Sequence, residues 1–312
     1  RSDKDKPLIS LLAYDAAKKE EPAVKIALEV TPVKKEGRIH VALIGAGTFA
    51  KSVLLPNLKK LDSAYVLQSV ADKIGHNAAA AAKDFGAAVA ATDYQSVLQD
   101  EAVDAVIIAT RHNRHARIAM DALNAGKAVF LEKPMAMNQA ELDELVEIIH
   151  ETKRPFMMGF NRRFSKYAME AKRHIRDRKS PLIVNYQMNA GYIPLDHWVH
   201  TAEGGGRIIG EACHIFDLFH FFTEAGVASV FAARIKPEGH GYSPEDNAVI
   251  TITYQDGSVG TLTYTALGHP SYPKEMCHLY FDGKIIVIGN YESIQGFGVK
   301  TKSLTSKSPD NG

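Results

Sequence analysis

Ile39-His40-Val41-Ala42-Leu43-Ile44-Gly45-Ala46-Gly47-Thr48-Phe49-Ala50 is an apolar run closed by a glycine turn, and an amphipathic stretch to Leu61 follows it. An apolar run of this length bounded by turn residues reads as a buried strand. Strand, glycine turn and helix in that order are the context that a dinucleotide fingerprint requires. Gly45 permits the tight turn, Gly47 lets the backbone approach a pyrophosphate, and the pyrophosphate sits on the helix N-terminus, with Thr48 and Phe49 opening that helix beside it. Ala50 stands in the third glycine position, an accepted variant. A plain structural turn would read alike, so the motif depends on what surrounds it.

The next strand-like run, Tyr65 to Val70, ends in Ala71-Asp72-Lys73. The distance from Gly47 to Asp72 is close to the roughly 20-residue offset of the acid that bonds a ribose 2′-hydroxyl. A carboxylate there favours NAD over NADP; Lys73, which could neutralise a 2′-phosphate, leaves NADP open. Alanine-rich Asn77 to Lys83 reads as helix, Ala87 to Ala91 as a short strand, and Tyr94 to Gln99 as a helical turn. Ala102 to Thr110 is another buried strand, capped by Arg111-His112-Asn113-Arg114-His115 before a helix running to Asn124. After Gly126 comes Ala128-Val129-Phe130-Leu131-Glu132-Lys133-Pro134, an apolar run ending in an acid, a base and a proline. Strands alternating with helices at this spacing imply a doubly wound parallel α/β sheet. Its carboxyl edge, where such sheets place ligands, collects Gly45, Asp72, Thr110 and Lys133.

Asn138 to Thr152 reads as a long amphipathic helix, and the strand Pro155 to Phe160 ends in Asn161-Arg162-Arg163-Phe164 before a basic helix reaching Lys179. Beyond it the texture becomes alternating strands: Leu182 to Asn189, Val227 to Ile235, Asn247 to Tyr254, Ser258 to Ala266 and Met276 to Ile288. Gln255-Asp256-Gly257 and Asp282-Gly283 are hairpin signals. Gly204-Gly205-Gly206-Arg207-Ile208-Ile209-Gly210-Glu211-Ala212-Cys213-His214 is a glycine loop entering an apolar helix. The expected organisation is a leader and linker over residues 1–36, a Rossmann domain over 37–160, and an α/β domain with a large, mostly antiparallel open sheet over 161–312. In the leader, Leu8 to Tyr14 and Val24 to Val30 read as strands, the second as a half-buried edge strand that need not belong to the domain after it.

The chain has 312 residues, 46% hydrophobic and 23% charged, with a net charge of +1. That balance disfavours nucleic-acid or membrane-surface binding by the molecule as a whole. Cys213 and Cys277 are its two cysteines, without metal-ligand spacing, so no metal site is expected and the compartment reads as reducing. No apolar run reaches the 18 to 20 residues of a membrane-spanning helix and the opening residues lack signal-peptide character, giving an expectation of a soluble, cytoplasmic protein. The chain opens on arginine and closes on a polar stretch from Lys300, which suggests a piece of something longer.

Taken together, the glycine fingerprint, Glu132-Lys133-Pro134, and the Gly204-Gly205-Gly206 loop followed by His214 resemble the Gfo/Idh/MocA oxidoreductases over roughly Arg38 to Gly298. More narrowly, Ala109-Thr110-Arg111-His112-Asn113, Asn189 to Pro194 with Asp196-His197-Trp198, and Gly206 to Glu211 look like the carboxyl half of bi-domain oxidoreductases. There an alcohol-dehydrogenase-like domain precedes this one, so residues 1–36 would be the tail of that domain and the linker.

The resemblance implies a NAD(P)-dependent dehydrogenase acting on a secondary alcohol of a sugar, polyol or sugar derivative. A redox-neutral enzyme using bound NAD, or a nucleotide-binding regulatory half without turnover, are the alternatives. It assigns His214 as the base, a role suited to a pKa near working pH, and Lys133 as the group that holds the substrate oxygen. Many relatives carry an aspartate four residues before the histidine, where this chain has Gly210. Glu211, three residues before His214, is expected to replace it. Glu132, Lys133, Thr110, Arg111, His112 and Asn113 are expected on the cofactor. Asn161, Arg163, Tyr192, His197 and Trp198 are the substrate-side expectations, the lone tryptophan as a stacking face for a sugar ring. The resemblance also implies a homo-oligomer formed through the open sheet.

Overall fold

A computed structural model describes residues 24–28, 37–236, 241–301, 304, 306, 309, 310 and 312. The strand expected over Leu8 to Tyr14 lies outside the described residues.

Seven strands form the first sheet: β1 (Lys25–Ala27), β2 (Ile39–Ile44), β3 (Tyr65–Ala71), β4 (Val89–Ala91), β5 (Ala105–Ile108), β6 (Ala128–Leu131) and β7 (Phe156–Met158), in the order β1-β4-β3-β2-β5-β6-β7. β2 through β7 run parallel, and β1 adds to β4 antiparallel at the edge. The central runs are continuous rather than alternating because helices cover both faces. On one side Leu43, Leu67 and Val70 pack with α1 (Leu55–Lys60) and α2 (Gly75–Phe85). On the other, Val106, Ile108, Val129 and Leu131 pack with α4 (His115–Asn124) and α5 (Gln139–Thr152), while α3 (Gln95–Leu98) is a single turn. Asn138 caps α5, its side chain accepting from the Glu141 N–H. The strand order reverses at β2, so a crevice opens at the carboxyl ends of β2 and β5.

The second sheet comprises β8 (Ile183–Asn189), β9 (Val227–Arg234), β10 (Ala248–Tyr254), β11 (Val259–Thr265), β12 (Glu275–Phe281), β13 (Lys284–Gly289) and β14 (Ser293–Phe297), ordered β14-β13-β12-β8-β11-β10-β9. Five pairings are antiparallel and β8–β11 is parallel. α6 (Lys166–Ile175) and α7 (Cys213–Thr223) cover one face, burying Tyr167, Phe219 and Phe222 against Val184, Leu262 and Leu279. Each such side chain contributes about 1.5–3 kcal/mol. Gly260 makes the fit possible, since a β-carbon there would lie 2.5 Å from the Phe219 ring.

Asp282-Gly283 is the hairpin turn its sequence signals: φ angles of 48° and 70° give the primed turn that matches strand twist and divides the Met276–Ile288 run into β12 and β13. Two sequence expectations change. The Lys25–Ala27 strand is exposed rather than half-buried, and it extends the dinucleotide sheet. β14 is an additional strand, short and carrying Gly296, too weak in pattern to stand out.

Candidate functional site

The glycine loop leaves β2 at Gly45, whose φ is +99°. A β-carbon there would come within 2.6 Å of the Ala109 carbonyl oxygen, so glycine is required by both conformation and contact. Gly47 is the reverse case: its β-position meets nothing within 4 Å, and it faces open space beside exposed Thr48 and Phe49. The helix then winds through a wide π-type turn at Ala50–Leu54 before Pro56, which cannot supply a regular backbone hydrogen bond. Asp72 braces the loop, one carboxylate oxygen accepting from the Ala46 N–H at 2.8 Å and the other from the Ile74 N–H at 2.9 Å.

At the end of β5 the turn Arg111–Asn113 meets the second domain. Buried His112 has Nδ1 2.8 Å from the Gly204 carbonyl oxygen, and the Asn113 N–H donates to the Glu203 carbonyl at 3.2 Å. Arg111 stacks on the Trp198 ring at 3.9 Å and lies 3.8 Å from Glu203. One face of Trp198 is therefore covered by a guanidinium, and its edge meets His112 at 5.0 Å between ring centroids. His115 is a packing residue: its imidazole lies between the carbonyls of Pro134 (2.8 Å) and Thr110 (3.2 Å), joining the ends of β6 and β5.

Gly210 now has a steric explanation. A β-carbon at 210 would stand 2.7 Å from Cε1 of His112, so the imidazole occupies the space that a side chain at 210 would need.

Lys133 follows β6 and donates from Nζ to the Gly210 carbonyl at 2.8 Å, spanning the two domains. Buried Glu132 sits over Gly159, whose β-position would be 2.8 Å from Oε1; burial pushes its carboxyl up to about 7 against the opposing pull of Lys133. His214, in the first turn of α7, is buried, and its Nδ1 has no hydrogen-bond partner among the described residues. Burial, then the positive charges of Arg162 and Lys133, push its imidazole down to about 3, with Glu211 opposing through space. The structure does not give Glu211 a hydrogen bond to His214. Its carboxylate accepts instead from Tyr264 Oη, from Arg207 Nη2 at 3.2 Å and from Lys274 Nζ at 2.8 Å. Those partners outweigh its burial and hold it down to about 2.

Among the substrate-side expectations, Arg163 forms a two-pronged ion pair with Asp217 on α7. Asn161 accepts from Arg162 at 3.3 Å. Tyr192 is exposed, edge-on to Tyr242 at 5.5 Å. His197 is also exposed and caps the turn at Trp198–His200.

Four residues near the site lay beyond sequence reasoning. Arg162 is buried and paired two-pronged with Glu275, which also accepts from Tyr186. Buried Arg207 donates to the carbonyls of Gly191 (2.6 Å) and Ala190 (2.9 Å), and Tyr264 and Lys274 join it at Glu211. Position directly after a glycine run was the one signal available for Arg207.

The buried histidines make stability depend on pH. His112 is pushed down to about 4, chiefly by burial, His115 is lowered for the same reason, and His214 to about 3. Between about pH 6.5 and those values the unfolded chain binds protons that the folded chain does not, so their contribution is lost as pH falls. Glu132 acts oppositely between its ordinary value and about 7 but is a single group. The melting temperature should therefore drop on acidification from pH 6.5 to 4.5, and His214→Gln should flatten that slope. Calorimetry showing equal slopes in both proteins would contradict the assignment.

Fold and glycine cradle together define a class: dinucleotide-binding proteins in which a Rossmann domain is followed by a helix-backed open sheet. Two family profiles match in succession, the NAD-binding Rossmann fold of the Gfo/Idh/MocA oxidoreductases over residues 39–160 and the Gfo/Idh/MocA C-terminal domain over residues 180–295. The chain belongs to that family, and its amino-terminal domain is an NAD-binding one. It is 25% identical over 230 residues to the myo-inositol 2-dehydrogenase of Thermotoga maritima, covering 72% of this chain and 67% of that protein. To the scyllo-inositol 2-dehydrogenase (NAD+) of Bacillus subtilis it is 28% identical over 237 residues, covering 72% and 66%. The chain thus spans about two thirds of the length of these relatives. The structure of levoglucosan dehydrogenase in complex with NADH superposes with a TM-score of 0.74 at 22% identity, covering 86% of this chain and 80% of that one, a likeness of fold.

Among the described residues no helix is long and apolar enough to cross a membrane, and no group of His, Cys, Asp and Glu is arranged to hold a metal ion.

Proposed function

We propose that the protein is an NAD-dependent dehydrogenase acting on a CH–OH group of a sugar, polyol or sugar derivative, with Lys133 and His214 as its catalytic residues. The observation that carries this reading is a buried imidazole with an unpartnered Nδ1, in the electrostatic reach of a lysine at the carboxyl edge of a dinucleotide-binding sheet. The open β-position of Gly47 fits a pyrophosphate approaching the backbone, and the relatives named above are dehydrogenases of inositols. Bound nicotinamide supplies the hydride acceptor. The chain's own task is the other half of the oxidation. His214 takes the hydroxyl proton, although burial and its cationic neighbours lower its proton affinity well below the near-neutral value expected of a histidine base, while the Lys133 ammonium stabilises negative charge growing on the same oxygen. Arg162 and Lys274 add to that positive surrounding and oppose retention of the proton on His214. Glu211 acts here through space, as the anchor of Arg207, Tyr264 and Lys274, rather than as a hydrogen-bonding relay.

Titration with NAD and NADP followed by a panel of polyols, sugars and nucleotide sugars, read by nicotinamide absorbance, tests the proposal. NAD binding without turnover of any CH–OH substrate, in this chain and in a longer one, would reject it.

Asp72 is the residue we assign to NAD preference. A 2′-phosphate would meet its carboxylate, and hydrogen bonds to charged groups are worth about 1.5–3 kcal/mol, or on the order of tenfold or more in affinity. Asp72→Ala should weaken NAD by about tenfold and bring NADP close to parity, with exposed Lys73 then free to meet the phosphate. An unchanged NAD to NADP affinity ratio by calorimetry would remove Asp72 from that role.

Self-association is assigned to the face of the second sheet opposite α6 and α7, where Phe231 on β9 and Val249 on β10 lie exposed as diagonal neighbours. Sedimentation at micromolar concentration should show an oligomer that Phe231→Glu dissociates. A monomeric parent protein would refute this.

A further inference from the structure

The Gly204–Gly210 segment carries the carbonyl to which Lys133 donates. Within the second domain it is tied by buried Arg207, which donates to the carbonyls of Gly191 and Ala190, and by the Gly206 N–H, which donates to the Val199 carbonyl at 2.8 Å. His112 joins it to the other domain. His112 Nδ1 lies 2.8 Å from the Gly204 carbonyl, and because a carbonyl only accepts, this nitrogen carries the proton. The same ring fills the space over Gly210, 2.7 Å from where a β-carbon would stand. His112 therefore touches the segment at both ends, hydrogen-bonded at 204 and in contact at 210. It is flanked by the edge of Trp198 at 5.0 Å and by His115 at 5.8 Å between ring centroids. The titratable and charged groups that face it are Lys133, His115 and Arg111, each of which disfavours a charged imidazole. Nδ1–H is then the single donor of a neutral ring, already committed to Gly204.

We propose that His112 is a positioning residue for Lys133: by clamping the Gly204–Gly210 segment to the carboxyl end of β5, it fixes the Gly210 carbonyl and with it the Lys133 ammonium. What is positioned rests on the dehydrogenase reading; the clamp itself does not. Misplacing a reacting group by about 1 Å costs on the order of 100-fold in rate, so the clamp should show in kcat more than in KM. Glycine at 210 and histidine at 112 also become a matched pair, since a larger residue at 210 would evict the ring.

The experiment uses the full chain with His112→Leu, which fills similar volume without a donor, His112→Asn, which retains one, and Gly210→Ala, which pushes the ring from the other side. Acylation of Lys133 by an amine-reactive ester, quantified by mass spectrometry against exposed Lys83, reports the lysine's freedom without requiring turnover. Steady-state kinetics on the best substrate of the panel report the rest. His112→Leu and Gly210→Ala should each raise Lys133 acylation several-fold and lower kcat by roughly 100-fold with KM within about threefold. His112→Asn should return both to within about fivefold of the parent. Parental Lys133 acylation and kcat in His112→Leu or in Gly210→Ala, even with a lowered melting temperature, would overturn the proposal. A parent protein that oxidises nothing on the panel would reject the dehydrogenase reading, and acylation would still decide the clamp.

Discussion

Lys133→Met is expected to lower kcat by about 10²- to 10⁴-fold, the range over which a positioned acid–base or charged group contributes, while NAD affinity stays within a few-fold of the parent. Methionine preserves the length and apolar stem of lysine and removes the charge. The only hydrogen bond of Nζ among the described residues goes to the Gly210 carbonyl, a neutral acceptor, so no carboxylate offsets that charge by direct pairing. Its loss should be felt most where negative charge develops on the substrate oxygen, hence in kcat. Lys133→Arg should not restore the rate, because a planar guanidinium cannot occupy the position of a compact ammonium. The checks are stopped-flow nicotinamide absorbance for the rate and isothermal titration for NAD. A Lys133→Met protein within threefold of the parent in kcat would remove Lys133 from the chemistry.

Elements built on local period were legible before any coordinates. β2, β5 and β6 announce themselves as apolar runs, and the glycine turn after β2 marks a dinucleotide fingerprint at its carboxyl end. Lys133 could be placed on the carboxyl edge for the same reason. What the sequence hid are partners brought together by tertiary pairing. Glu211 was expected beside His214 from helix spacing alone. Its carboxylate is instead drawn away by Tyr264 from β11 and Lys274 at the entrance to β12, residues 53 and 63 positions distant. Spacing along one helix says which side chains share a face, not which competing donors another strand delivers there. Trp198 is a similar case: an exposed-looking loop tryptophan reads as a sugar platform until Arg111, from the other domain, is found stacked on it. Gly210 looked like a defect of the site and is better read as half of a contact whose other half, His112, sits nearly a hundred residues earlier.

The largest stability effect is expected at a second pairing of residues distant in the chain. Arg162 and Glu275 stand 113 positions apart and form a two-pronged ion pair at 2.8 and 3.1 Å, with side chains 9% and 5% exposed. Tyr186 donates to the same carboxylate, and the Arg162 guanidinium lies over the Tyr291 ring at 5.4 Å. Removing one member of a buried pair strands the other charge away from water, at about 3–5 kcal/mol, whereas replacing both by apolar residues of like volume is often close to neutral. Glu275→Leu alone should therefore destabilise the protein by about 3–5 kcal/mol, and Arg162→Met with Glu275→Leu should recover most of that loss. The double variant also carries a functional signature, because Arg162 is the strongest of the charges that hold the His214 imidazole down. Without it, the acid limb of the kcat profile should move to higher pH even though the fold is retained. Urea denaturation of the two single variants and the double variant gives the coupling energy, and a pH–rate profile gives the shift. A double variant as unstable as Glu275→Leu would show that the pair is held for packing between β12 and the turn that precedes α6. An unmoved acid limb would show that Arg162 does not set the proton affinity of His214.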